Sequence, residues 1–373
     1  MSGGASESAS PPLVSVVVPC HNAERWLAEC LASVAAQTYR PLELSLWDDA
    51  SSDSSPAVVL DALPQLKDAG VRVTLGGSGF RSAEGQATAD SNSEESASKP
   101  LGCGTAKNRA VLQSSGDFLC FLDADDVMRP RRVEAQLGLA LARKGCVGAG
   151  CLVGSCIVRE PCDAQPRYTA WLNSLTQEQL LLQRFKECTL AMPTWFCARA
   201  VFDAASGFLE TGPGTPEDLD FLYRHVRSGG SLARVDEPLV MYRYHEKQQS
   251  HGVSANSIWA LRVEELESGL LAHLESFSLW GAGRDGKRLY KSLRPASRQK
   301  VVAFLDVDPG KLAAGHYFDR EHGEKVPIVE WKMASEAKFQ PAIICVKSGL
   351  HSGFENNVAS LGLQEGRQYW HFN

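Results

Sequence analysis

The sequence predicts an α/β protein of two units, each built on a mostly parallel sheet with crossover helices. Three observations predict it. Short β-branched apolar runs alternate with helically spaced apolar residues from residue 13 onward. A polar stretch at 76–100 interrupts that rhythm, which then resumes. A second series of strand, glycine turn, helix and strand begins near Phe277. Parallel neighbours need a crossover connection, so repeated strand–helix–strand patterning points to a parallel sheet.

The length of 373 residues agrees with two domains. Hydrophobic residues make up 44% and charged residues 22%, enough material for ordinary cores. A net charge of −6 excludes nucleic-acid binding by the whole surface, so any polyanion contact must come from a local basic patch. The eleven cysteines are odd in number and show no C-x-x-C pairs, which argues for free thiols rather than a disulfide framework or a zinc site.

Residues 1–12 are small and polar and predict a disordered tail without a secretory leader. The run at 13–18 predicts a buried strand. Asn22 is placed to cap a helix whose apolar face is Trp26, Leu27, Cys30, Leu31 and Val34. Residues 42–47 predict a second strand ending at Asp48 and Asp49, 58–66 a helix, and 71–75 a third strand. The 76–100 stretch lacks large apolar residues and cannot offset its ordering entropy, so it predicts a disordered insertion. A helix at 105–114 and a strand at 118–122 follow, and the strand runs directly into Asp123-Ala124-Asp125-Asp126. Further helices are predicted at 131–144, 177–185 and 219–228, with a helical connector over 256–275. The predicted division is a first unit at 13–255 and a smaller Rossmann-like unit at 276–373. No apolar run is long enough to span a bilayer, so a cytoplasmic protein without a membrane partner is expected.

Ligands of open α/β sheets collect at the carboxyl ends of the strands. Two acidic groups lie there, Asp48-Asp49 and Asp123-Ala124-Asp125. Carboxylates crowded at one sheet edge repel each other unless a hard divalent cation sits among them, and such a cation can also hold a diphosphate. A D-x-D at the end of an apolar strand is therefore a candidate metal and phosphate site.

Four segments in register, VSVVVPCHNAERWLAECLASVAAQ, LSLWDDASSD, AKNRAVLQSSGDFLCFLDADD and PEDLDFLYR, resemble the family 2 inverting glycosyltransferases with a GT-A fold. The likeness runs over residues 13–245. It implies a UDP-sugar donor bound by Pro19, His21, Asn22, Asp49, Lys107, Asp123 and Asp125, with Asp49 on the uracil. It implies Mn²⁺ or Mg²⁺ on Asp125, helped by His245. It implies Asp218 as general base, with Glu217 and Trp195 on the acceptor side. Lys107 stands where the family often has arginine, which keeps the charge but loses the planar fork. Core packing is an equally good reading of Trp195, and a helix N-terminus is one of Glu217-Asp218.

In the second unit, Gly281-Ala282-Gly283-Arg284-Asp285-Gly286 fits G-x-G-x-x-G, and Asp306 follows at the distance of a ribose-binding acid. That pattern supports a rival function, an NAD-binding or oxidoreductase module. The same helix is basic, and Lys287, Arg288 and Lys291 are candidate RNA contacts, with a solvated helix face as the alternative. Pieces such as RLYKSL, KVVAFLDVD and LQEG resemble the glycosyltransferases that add galactose to queuosine in tRNA. That likeness implies UDP-galactose as donor and queuosine-containing tRNA as acceptor. A UDP-N-acetylglucosamine-dependent enzyme acting on a protein or glycoside stays open, because motifs do not fix the sugar.

Overall fold

The computed structural model describes residues 10–80, 99–143, 149–246, 248, 252–347 and 353–373. Most of the predicted tail and of the 76–100 insertion lies outside them. The chain divides into two compact units, one of 1–177 with 190–254, the other of 178–189 with 255–373.

In the first unit, β1 (Val14–Cys20), α1 (Glu24–Ala35), β2 (Leu42–Asp48), α2 (Ser55–Asp68) and β3 (Val71–Gly77) come first. Then follow α3 (Cys103–Gln113), β4 (Phe118–Phe121), β5 (Val127–Met128), α4 (Arg132–Ala142), β6 (Cys151–Glu160) and α5 (Pro166–Ser174). The short α6 (Gln179–Leu182) belongs to the second unit. The first unit closes with β7 (Phe196–Ala198), α7 (Arg199–Ala204), α8 (Glu217–Arg227) and β8 (Ser231–Arg243). Its sheet has the order β3-β2-β1-β4-β7-β6-β8-β5. The run β3-β2-β1-β4 is parallel, and β7 is antiparallel to both its neighbours.

Every residue of β1 is buried, and Val14, Val16, Val17 and Val18 are inaccessible. A strand with helices on both faces needs such a continuous apolar run. Each of these side chains contributes roughly 1.5–3 kcal/mol by leaving water. β1 is flanked by β2 and β4 in parallel register, so Cys20, Asp48 and Phe121 end at one sheet edge. The loops that follow them carry the acids.

Two expectations are corrected here. The third strand runs on to Gly77, and Ser78–Phe80 forms a single 3₁₀ turn, so the ordered part extends past residue 76. Asp48 holds that turn, accepting from the Ser78 hydroxyl at 2.9 Å and the Gly79 N–H at 3.0 Å. Asn22 does not cap α1. Its backbone is left-handed (φ 51°), and its side-chain oxygen accepts from the Ser52 N–H at 2.8 Å. Asparagine tolerates that conformation better than most residues. Ser55 and Asp53 take the free N–H groups of Ala23 and Glu24 instead.

The second unit contains α9 (Ala255–Gly269), β9 (Phe277–Trp280), α10 (Arg284–Ser292), α11 (Pro295–Arg298), β10 (Val301–Asp306) and α12 (Pro309–Ala314). It ends with β11 (His316–Asp319), β12 (Glu324–Glu330), β13 (Ala342–Ile344), α13 (Phe354–Ser360) and β14 (Tyr369–His371). The sheet order is β11-β12-β10-β9-β13-β14, parallel except for β11. The helix read as a connector packs into this unit: Trp259, Val263 and Leu266 share a core with Leu279 and Phe304. Phe185 joins the same core, and Arg184 pairs with buried Glu265 at 2.9 Å. The 178–189 segment is therefore structural material of the second unit, which its local pattern does not reveal.

Candidate active site

The acidic loop follows directly from β4. Asp123, Asp125 and Asp126 bring carboxylate oxygens within 4.8 Å of one another. Asp126 is fully buried, and one of its oxygens accepts from the Arg243 N–H at 2.8 Å. Its other oxygen, and one oxygen of Asp123, are buried without a hydrogen-bond partner among the described residues. An unsatisfied buried carboxylate oxygen is costly. Burial, opposed by Lys107 and reinforced by Asp125, Glu217 and Asp218, pushes the Asp123 carboxyl up to about 7. Burial, with Asp125 and Asp123 alongside, also raises the Asp126 carboxyl well above its usual range. A divalent cation fits this donor set, since it would satisfy the orphaned oxygens and remove the like-charge penalty.

The end of β8 supplies the wall of the loop. Pairing of β5 with β8, Val127 opposite Met241, carries residues 243–245 to the acids. The Arg243 guanidinium donates to the Asp125 carbonyl at 2.9 Å and is held by Glu29 at 2.7 Å and Glu160 at 2.9 Å. His245 Nε2 lies 2.8 Å from the Asp125 carboxylate, and its ring stacks on Trp26 at 4.0 Å. Asp126, Arg243 and Trp26 were not singled out in the sequence. Asp126 and Trp26 sit inside the quoted motifs, whereas Arg243 lies outside them, two residues before His245.

The other predicted residues gather on the same unit with more specific partners. Asp49 is 5% exposed, and its two oxygens accept from the N–H groups of Leu101 (2.9 Å) and Gly102 (2.8 Å). Asp49 thereby pins the entry to α3. His21 Nδ1 contacts the Asp49 carbonyl at 2.7 Å, and Asn22 contacts His21 Nε2 at 3.1 Å. Pro19 lies in β1. Lys107, nearly inaccessible, donates to Glu217 at 2.8 Å. Burial alone would raise the Glu217 carboxyl, but Lys107 pulls it below its usual range. Lys107 Nζ also sits 5.1 Å from the centre of the Phe208 ring. Asp218 is the second residue of α8, where its oxygen accepts from the Leu219 N–H at 2.7 Å. Asp123 senses Lys107, Glu217 and Asp218 together, so these charges share one electrostatic neighbourhood.

Trp195 is corrected. It is inaccessible, its indole N–H donates to the Leu190 carbonyl at 2.9 Å, and it packs on Phe208 and Phe221. A ring that is fully enclosed cannot stack on an acceptor, so core packing is the role the structure gives it. Lys287, Arg288 and Lys291 lie on α10 in the second unit and do not form one open patch. Lys291 pairs with Glu321 at 3.3 Å, Lys287 sits over Tyr317, and Arg288 lies 3.9 Å over Trp259. Asp306 is also engaged, accepting from Ala282 N–H at 2.7 Å and Lys311 at 2.8 Å, which leaves little of it for a ribose.

The first unit thus has the α/β fold of GT-A glycosyltransferases, with an acid cluster at the edge where such folds bind ligands. Residues 15–86 and 96–203 match the model for glycosyl transferase family 2, and the chain belongs to that family. An uncharacterized glycosyltransferase of Rickettsia felis is 24% identical over 280 residues, 71% of this chain and 40% of that protein. A UDP-Glc:alpha-D-GlcNAc-diphosphoundecaprenol beta-1,3-glucosyltransferase of Escherichia coli is 30% identical over 129 residues, 35% of this chain and 41% of that protein. The chain spans about two fifths of the length of these curated relatives. Among solved structures, Staphylococcus aureus TarS with UDP-GlcNAc is 15% identical with a TM-score of 0.49, covering 75% of this chain and 70% of that one. The mannosyltransferase PcManGT of Pyrobaculum calidifontis, solved with GDP-Man and Mn²⁺, is 17% identical with a TM-score of 0.47, covering 70% and 65%. Among the described residues, no helix is long and apolar enough to cross a membrane.

Proposed function

We propose that this protein is an inverting, metal-dependent glycosyltransferase that moves galactose from UDP-galactose to queuosine in tRNA, in the cytoplasm. The observation that carries the enzymatic reading is the convergence of Asp123, Asp125 and Asp126, with two buried oxygens left unsatisfied. The choice of sugar and acceptor rests on the sequence resemblance noted above.

Asp125, with Asp123 and Asp126, would hold Mn²⁺ or Mg²⁺. When bound, such a cation offsets the charge that grows on a departing diphosphate. His245, braced by Trp26, fixes the orientation of the Asp125 carboxylate. Asp218 takes the proton from the acceptor hydroxyl as that oxygen attacks the anomeric carbon, and UDP leaves from the opposite face. Base catalysis of this kind contributes about 10²–10⁴-fold. Glu217 neutralises the buried Lys107 ammonium and so keeps the local charge balanced beside Asp123.

The test is incubation of the protein with Mn²⁺, with UDP-galactose or UDP-N-acetylglucosamine, and with tRNA that contains or lacks queuosine. Galactose incorporation into queuosine-containing tRNA alone is the expected result. Transfer from UDP-N-acetylglucosamine, or to queuosine-free tRNA, would replace the donor or acceptor assignment.

A further inference from the structure

The second unit carries a cleft of about 470 Å³ lined by Trp259, Arg262, Arg284, Asp285, Arg288 and Lys347 among others. Its place in the sheet is specific. From β9 the chain moves to β10 and β12 on one side, then returns to β13 on the other. The strand order therefore reverses between β9 and β13. The helix α10 that follows β9 supplies Arg284 and Arg288, and the loop after β13 supplies Lys347. Ligands of doubly wound sheets bind at such switch points. Gly281, with φ 114°, lets the β9 loop turn close beside Val346 of the other loop.

Four cations and one acid line this cleft, in a chain whose net charge is −6. Arg284 has a side chain 84% exposed, with its neighbour Asp285 as the one ion-pair partner among the described residues. Arg288 spends its charge on neutral groups, the Trp259 face and the Asn256 side chain. Lys347 is exposed and has no ion-pair partner among the described residues. Concentrated positive charge in an acidic protein calls for phosphates. A bound dinucleotide suits the cleft poorly. Asp306, which would take the ribose, is tied to Ala282 and Lys311. Asp285 puts a carboxylate in the first turn of α10, where a pyrophosphate would sit. Trp259 already has Arg288 on its ring and is itself buried, which leaves a base little to stack on.

We propose that this cleft binds the phosphodiester backbone of an RNA acceptor, contacted by Arg284, Arg288 and Lys347; the proposal rests on the reading that the acceptor is RNA. The test compares the full-length chain, the doubly charge-reversed Arg284→Glu/Lys347→Glu variant and a Lys338→Glu control, whose exposed lysine lies outside the cleft. Binding to a queuosine-free tRNA transcript is measured across a salt series, and NAD⁺ binding is measured separately. The double variant is expected to bind roughly tenfold or more weakly, with a salt slope smaller by about 1 per lost cation, and the control to stay within about twofold of wild type. Saturable NAD⁺ binding that displaces the transcript, or an unchanged slope in the double variant, would overturn the proposal. The two readings fail separately. A wild-type chain that binds the transcript through the cleft but transfers no sugar to queuosine-containing tRNA sinks the acceptor assignment and leaves the cleft standing. A double variant that binds and transfers like wild type sinks the cleft alone.

Discussion

The two sheets of this protein both carry a run of parallel strands, and the carboxyl ends of those strands present opposite charge. At the carboxyl edge of the first, β4 runs into three carboxylates, two of which have a buried oxygen unsatisfied among the described residues. At the carboxyl edge of the second, β9 and β13 run into α10 and a loop that supply arginines and a lysine to one cleft. The carboxyl end of a parallel strand supplies the edge in both cases, β4 passing through its acidic loop to β5 and β9 through a glycine turn to α10, and the side chains decide whether it calls for a cation or an anion. Fold therefore carries less about chemistry here than a handful of residues at strand ends does.

The sharpest way to break the comparison is to remove the acidic charge. Asp125→Ala is expected to abolish sugar transfer, a loss of about 10³-fold or more, and to weaken Mn²⁺ binding measured directly. Asp218→Asn should lower kcat by roughly 10²–10⁴-fold while the KM for the donor stays near wild type. Donor KM that rises with unchanged kcat would move Asp218 from the base to the donor side.

The cation reading also predicts a pH dependence of stability. Asp123 has its carboxyl raised to about 7 by burial and by neighbouring acids, against 3.8 unperturbed. Between those values the folded state holds a proton that the unfolded chain releases, so stability falls as pH rises from about 4 to about 7. Without divalent cations, the thermal midpoint should drop across that window. Added Mn²⁺ should restore it, more at pH 7.5 than at pH 5. Equal stabilisation at both values would show that the cation does not act on these acids.

Glu217 makes a contrasting case at the same edge. Its pKa is lowered by Lys107, and that of Lys107 is raised by its acidic neighbours. The Glu217 share of the pair's stabilisation is fully present above the unfolded value near 4.5 and is lost as pH falls through the lowered folded value. The lysine share holds below 10.5 and is lost as pH rises past the raised folded value. Glu217→Gln leaves a buried ammonium without its partner and is expected to cost about 3 kcal/mol, read by denaturant unfolding at pH 7. A cost under about 1 kcal/mol would mean that Asp123 already balances Lys107.

Much of this was legible in the sequence, for physical reasons that differ by residue. The β1 and β4 strands announce themselves because a doubly covered strand is largely apolar, and β2 does so through its leucines although it also buries Glu43 and Ser45. The acids after them are visible because a strand end is a predictable place. Local pattern does not say what a segment packs against, so the membership of 178–189 in the second unit was hidden. Trp195 looked equally suited to a ligand and a core, and only the aromatic cage of Phe208 and Phe221 decides. Asn22 fits a capping pattern, yet the Ser52 N–H across the sheet edge offers its oxygen a better partner.

The glycine fingerprint of the second unit gives the smallest expected effects and separates shape from binding. A side-chain carbon on Gly286 would collide with the Gly281 carbonyl, so α10 can lie against the turn only with glycine there. At Gly283 the same carbon would meet nothing within 4 Å, and the backbone, at φ −87°, is open to any residue. Gly286→Ala is therefore expected to destabilise by about 1–3 kcal/mol through forced movement of the helix. Gly283→Ala should change stability by less than about 0.5 kcal/mol. If the motif serves only to pack strand, turn and helix, neither substitution changes tRNA affinity in the protein that remains folded. A loss of binding in Gly283→Ala with stability intact would show that backbone approach at the turn matters to the phosphate itself, and would move the anion from the arginine-lined rim to the helix start.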